Sequence, residues 1–326
     1  MDPQPRRIEP KFALLGAGVV AMILYGSLFP FHFHRNTRPI ETIWAIAQFR
    51  AERMDIVANF LLYWPLGVCL VLAFRGWPMR QRVAWAILGG SALSATMESI
   101  QIFQPARLVS LWEFYGNTAG AALGALTGAV AGGSSRARFL VAARRRPFAC
   151  LMLASWLGYI LFPVLFPPFA AAGPASPLDW FERCTVSLAV ALLLEALIRR
   201  EGPPAFPRAA GLVAVLFALH VSINALRPFQ FLPEARPFGW VPFLSFLTAS
   251  RESAVRAFFE KAFMYGTLVW LMARAGWTVA RATMVAAGTV LALRLSQTYL
   301  PGRSAEITDT IMVLGLAGVL HLVEKV

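Results

Sequence analysis

Apolar residues fill the chain in runs of about 20, the length a helix needs to cross a ~30 Å hydrocarbon core. Ten such runs lie at approximately 12–30, 56–74, 83–104, 112–132, 148–169, 184–199, 208–226, 255–274, 277–299 and 307–323. Each predicts a helix, because hydrocarbon offers no partner to open backbone N–H and C=O groups. The expected fold class is all-α: a polytopic transmembrane bundle of about ten spans, with 184–199 the shortest. The first run follows Arg6, Arg7 and Lys11 and lacks a small-residue cleavage site. It reads as an uncleaved helix rather than a removed signal peptide.

Composition supports the pattern, with 58% hydrophobic and 14% charged residues over 326 positions. The net charge of +13 would suit a nucleic-acid partner if it formed a stripe, but its distribution follows the spans. With the amino terminus inside, the inner segments hold the whole excess, and the outer loops and spans sum to zero. This is the positive-inside bias. It predicts a multi-pass membrane protein with both termini cytoplasmic, and no nucleic-acid partner. The basic run Arg136 to Arg146 reads as a loop against anionic lipid heads.

Cys69, Cys150 and Cys184 have no C-x-x-C spacing, so neither a disulfide framework nor a zinc site is indicated. His32 and His34, beside Phe31 and Phe33, fit an interfacial aromatic belt better than a metal clip. No metal and no cofactor is expected.

Polar residues at the ends of the runs carry the candidate chemistry. A charge in hydrocarbon is costly unless it is paired, hydrated or facing a cavity, so each is a functional candidate. Asp55 and Asn59, four apart, share a face at the start of the second run. Ser94, Glu98 and Gln101 stack on one face of the third, which Pro105 closes before Arg107. Glu113 and Asn117, again four apart, open the fourth. If these spans are neighbours, Asp55, Asn59, Glu98, Gln101, Arg107, Glu113 and Asn117 form one outer-leaflet pocket. The alternative is an interfacial Arg107–Glu113 ion pair that fixes the loop, with Gln101 capping a helix and Asn117 bonding a neighbour.

Gly116, Gly120, Gly124 and Gly128 recur every four residues along the fourth run. Such a stripe lets another helix approach closely. An internal contact is the expectation here, and homo-oligomerisation through this face is the alternative.

The carboxyl-terminal part repeats these features. Gln101-x-x-x-Pro105-x-Arg107 through Glu113 aligns without gaps on Gln297-x-x-x-Pro301-x-Arg303 through Glu306 and Asp309, an offset of 196. Leu28 to Phe33 matches Leu226 to Phe231 at an offset of 198, and Asn59 to Tyr63 falls on Lys261 to Tyr265. Matches in one order at nearly constant offset indicate a duplicated four-helix unit. The expected domains are a first unit over 1–132, two connecting spans over 133–207 and a divergent second unit over 208–326. Six spans separate the copies' first helices, so the two repeats should run parallel. The second-copy counterparts are Lys261, Arg294, Gln297, Arg303, Glu306 and Asp309. Glu98 becomes Arg294, and Asn59 becomes Lys261 beside Glu260.

Asp55 and Asn59, then Phe60, Pro65 and Gly67, then Glu98-x-x-Gln101, Arg107, Glu113, Asn117, Gly120 and Gly124 resemble the VanZ-like family of bacterial membrane proteins. The resemblance covers residues 25–128 and, partially, 224–320. It implies an envelope protein with a role in glycopeptide (teicoplanin) susceptibility, and it supplies no reaction. Three functions remain open at this point. A non-catalytic pocket could bind membrane lipid head groups or a lipid-linked envelope precursor, with Arg107 and Arg303 on phosphate. An enzyme could use Asp55, Glu98 or Glu113 as base on a lipid-linked substrate, although no Ser-His pair, H-E-x-x-H or phosphate loop is present. A transporter could use Glu98, Glu260, Lys261 and Arg294 between parallel repeats. Binding is the reading carried forward.

Overall fold

The computed structural model describes residues 8–34, 52–104, 109–133, 138–165, 177–198 and 207–324. Each of the ten apolar runs falls on a helix: α1 (Pro10–Leu28), α2 (Arg53–Ala73), α3 (Met79–Gln101), α4 (Leu111–Gly132), α6 (Pro147–Leu165), α7 (Pro177–Ile198), α8 (Pro207–Leu226), α10 (Arg251–Arg274), α11 (Val279–Ser296) and α12 (Thr308–Val323). Two short helices that the pattern does not predict are α5 (Arg138–Arg145) and α9 (Leu244–Thr248). The fold is an all-α membrane bundle. Among the described residues, five helices are long and apolar enough to cross a bilayer: α1, α2, α3, α8 and α11 with its 3-10 extension to Tyr299. Shorter apolar stretches lie in α6 and α12. Large apolar side chains such as Leu14, Leu212, Val215 and Met284 face outward, as a lipid solvent requires.

Side-chain caps mark several helix starts. Ser110 Oγ accepts from the Trp112 amide, Ser250 Oγ from Ser253 and Thr278 Oγ1 from Arg281. Each satisfies one of the open N–H groups of a first helical turn.

The chain divides into two compact units, 1–136 and 137–326. In the first, α4 lies against α2 backbone to backbone. A methyl group at Gly120 would collide with the Phe60 carbonyl, one at Gly124 with the Trp64 carbonyl, and one at Gly67 across the seam with the Ala121 carbonyl. The glycine stripe is thus an internal packing face. Beside it, Ile23, Tyr63, Leu66, Met97 and Ala121 form a core that joins all four helices.

In the second unit, α10 is the central element, and its stretch from Ala262 to Ala273 is buried continuously. It packs on α6, α8, α11 and α12 around a core containing Phe148, Met152, Leu193, Phe217 and Trp270. The close approach to α6 depends on Gly158, where a methyl would meet the Phe259 ring at 2.8 Å. At one end of this unit, Glu324 accepts from the Phe148 and Ala149 amides at 3.1 and 3.2 Å and from Arg274 Nη2 at 2.8 Å. A carboxylate at the first turn of α6 satisfies its open donors and suits its dipole.

Candidate functional site

A polar cluster lies at the end of α1 in the first unit and at the end of α8 in the second. The chain leaves α1 through Phe31 (φ 63°), whose amide donates to the Leu28 carbonyl at 2.7 Å. It leaves α8 through Phe229 (φ 62°), whose amide donates to Leu226 at 2.8 Å. Gln101 Nε2 then donates to the Ser27 carbonyl at 2.9 Å, and Gln297 Nε2 to the Ala225 carbonyl at 2.7 Å. The His34 amide reaches the Phe103 carbonyl at 2.8 Å, and the Leu232 amide reaches Tyr299 at 2.6 Å. These residue pairs stand at the offsets read from the sequence.

In the first unit, Asn59 Nδ2 donates to Glu113 Oε2 at 2.8 Å. Glu98, half-buried, accepts from the Ser110 amide at 3.4 Å and faces Glu113 electrostatically. Asn117 Nδ2 donates to Ser94 Oγ at 2.9 Å, with both side chains buried. Gln101 turns toward α1 instead, and Gln104 Nε2 joins it there on the Leu28 carbonyl at 2.6 Å. Of the seven first-unit pocket candidates, Asn59, Glu98 and Glu113 come together. Asn117 binds deeper, Asp55 lies half-buried on the first turn of α2, and Arg107 lies outside the described residues.

In the second unit, the corresponding positions carry charge. Asp309, wholly buried, accepts from Lys261 Nζ at 2.8 Å and from Tyr265 OH at 2.7 Å, and it pairs with the Arg294 guanidinium. Arg294 also donates to Tyr265 OH at 3.0 Å and to Gln297 Oε1 at 2.5 Å. Asn59–Glu113 thus becomes Lys261–Asp309, and the position of Glu98 holds the second cation. Ser94 and Asn117 become Val290 and Val313, both buried, so the deep polar pair is replaced by packing. Glu306 acts on Arg294 through its charge and makes its hydrogen bonds elsewhere; it accepts from the Ser245 amide at 3.2 Å and the Ser245 hydroxyl at 2.5 Å, holding α9 in place.

Arg303 is tied to the backbone through two of its three nitrogens. Its Nε and Nη2 donate to the carbonyls of Arg227 and Asn224, both at 2.9 Å, leaving Nη1 for other partners. Gly302, at φ 69°, permits the turn that brings it back. Arg236 braces the same turn through the carbonyls of Gln297, Leu300 and Arg303. Between α8, α10 and α11, under α9, lies a partly open cavity of about 360 Å³. Its polar lining includes Glu260, Lys261, Arg294, Gln297 and Arg303. That volume lies at the small end of ligand pockets, which run about 300–1,000 Å³.

Residues 12–131 match the family described as VanZ/LLP1. The first unit is VanZ-like. The match takes in α1 to α4 of the VanZ-like unit, with Asp55, Asn59, Glu98, Gln101, Glu113, Asn117 and the glycine stripe inside it. No curated protein and no solved structure matches the chain. Among the described residues, no three of His, Cys, Asp and Glu are grouped to hold a metal ion.

Sequence reasoning missed a second ionic group beside the cavity. Arg227 Nη1 lies 3.2 Å from Asp179 Oδ1 and 3.5 Å from Glu182 Oε1, and His220 Nδ1 lies 4.0 Å from the same Glu182 oxygen. Asp179 and Glu182, three apart at the start of α7, share a helical face. That spacing was the available signal, as was His220 inside an apolar run.

Proposed function

We propose that this VanZ-like protein is a non-catalytic component of the bacterial cell envelope that binds the head group of a membrane lipid or lipid-linked cell-wall precursor. The observation that carries the reading is the 360 Å³ cavity of the second unit, with Lys261, Arg294 and Arg303 on its wall. Cationic side chains with spare N–H donors are the usual means of holding phosphate. Asp309 already accepts from Lys261, Tyr265 and Arg294, which suits an electrostatic anchor better than a free base. The positive-inside charge distribution favours an outer-leaflet position for the cavity, with both termini cytoplasmic.

The second unit reads as a diverged duplicate of the first, in which the ligand site has moved to the charged copy. Matching hydrogen bonds from Gln101 and Gln297, and from Asn59 and Lys261, support the duplication. Holding a cell-wall precursor would connect the protein to glycopeptide susceptibility. Native mass spectrometry of the purified protein tests the reading: one phosphate-bearing lipid class should be retained well above its bulk abundance. Retained lipid that mirrors the bulk membrane overturns it.

A further inference from the structure

Within the cavity one side chain is out of keeping with a purely anionic ligand. Glu260 lines the wall beside Lys261, yet among the described residues its carboxylate closes no hydrogen bond or ion pair. The cations that influence it are Arg256, one turn earlier, and the adjacent Lys261. Arg256 is engaged over the Tyr159 ring at 5.5 Å, and Lys261 is engaged with Asp309 and stands over the Phe246 ring at 5.0 Å. A carboxylate set in an apolar bundle without a partner is costly, so such a group marks a place for a ligand cation.

On the same wall the donors are only partly used. Lys261 Nζ makes one side-chain hydrogen bond of the three its hydrogens allow, and Arg303 Nη1 makes none. One small cavity therefore presents an unmatched acceptor next to unmatched cationic donors. We infer that the cavity binds a zwitterionic head group carrying a primary ammonium and a phosphate, with the ammonium on Glu260 and the phosphate on Lys261 and Arg303. This rests on the head-group reading above and adds the amine to it. The same chemistry occurs in an ethanolamine phospholipid, in an amine-bearing lipid-linked precursor and in a soluble phosphoamine.

The test is lipid retention by the full chain from nanodiscs containing equal parts of ethanolamine, choline and glycerol phospholipids. Ethanolamine lipid should be retained roughly tenfold over the other two, because hydrogen bonds to charged groups are worth upward of a decade in affinity. Choline keeps the positive charge but has no N–H to donate. Glu260→Gln should remove the preference while phosphate-bearing lipid is still retained, with thermal stability measured alongside.

Equal retention of the three classes above the bulk level overturns the amine inference and leaves the head-group reading standing. No retention of any lipid overturns the head-group reading. If soluble phosphoethanolamine binds to the lipid-free protein and Glu260→Gln abolishes that binding, the zwitterion inference stands with a soluble source. A variant that keeps the full ethanolamine preference overturns the role of Glu260.

Discussion

Replacing Gly124 by alanine adds one methyl group where α2 and α4 touch through their backbones. The new carbon would overlap the Trp64 carbonyl oxygen and stand 3.1 Å from the Gly67 Cα, so a helix rather than a side chain has to move. Overpacking of this kind costs about 1–3 kcal/mol, and rigid backbone obstacles place it in the upper half of that range. Alanine recovers about 1 kcal/mol of helix propensity over glycine. The net effect is destabilisation by about 1–2 kcal/mol. Gly18, on α1, is the control: nothing lies within 4 Å of its added methyl. Gly18→Ala should therefore be neutral or stabilising by up to about 1 kcal/mol, and the two variants should differ by about 1–3 kcal/mol. Thermal unfolding in detergent, followed by the folded fraction on size exclusion, reads the difference. Gly120 should behave like Gly124. Gly128 should be milder, because its nearest contacts are 3.1 Å away and include the Val71 side chain. A Gly124→Ala protein that melts with or above Gly18→Ala would refute the backbone seam.

Asp309→Asn should cost about 3–5 kcal/mol, because it strands Lys261 and Arg294 without their carboxylate. Lys261→Asn should cost less, since Asp309 keeps Arg294 and Tyr265; equal melting temperatures would contradict this ordering. Gln297→Ala removes both the bond to the Ala225 carbonyl and an acceptor for Arg294, whereas Gln101→Ala removes the bond to Ser27. Denaturant titration should accordingly show a loss of about 2–3 kcal/mol for the first and about 1 for the second. Glu98→Gln retains an acceptor for the Ser110 amide and relieves repulsion from Glu113, so its unfolding midpoint should stay level or rise. A clear fall would show that Glu98 meets a cation.

The ten helices were legible because apolar length alone determines where a chain can cross a bilayer, and each expected run falls on one. The correspondence between Gln101 and Gln297 was also readable, since both serve a turn of fixed geometry against the preceding helix. Asn59 and Glu113 were both readable as pocket members, but their hydrogen bond depends on α2 lying beside α4, and the glycine stripe announces a close neighbour without naming it. Position alone did not reveal the hydrogen bonds of Arg303 and Glu306. Arg303 donates to the carbonyls of Asn224 and Arg227 at the end of α8, and Glu306 accepts from Ser245, whose place depends on how the loop over residues 230–250 folds. The group of Asp179, Glu182, His220 and Arg227 joins two helices through tertiary packing, and spacing along one helix conveys only half of such a contact. Glu260 was visible as a charge, but its lack of a partner is a property of the cavity.

Glu324 also constrains the order in which the second unit can be finished. The amides it receives belong to Phe148 and Ala149, separated from it by 176 and 175 positions. A ribosome delivers α6 to the membrane long before α12, so the first turn of α6 starts with its donors open or held by water. The unit acquires its final lock only when the last helix arrives. Variants shortened before Glu324 should therefore insert normally and yet remain open to proteolysis at the start of α6.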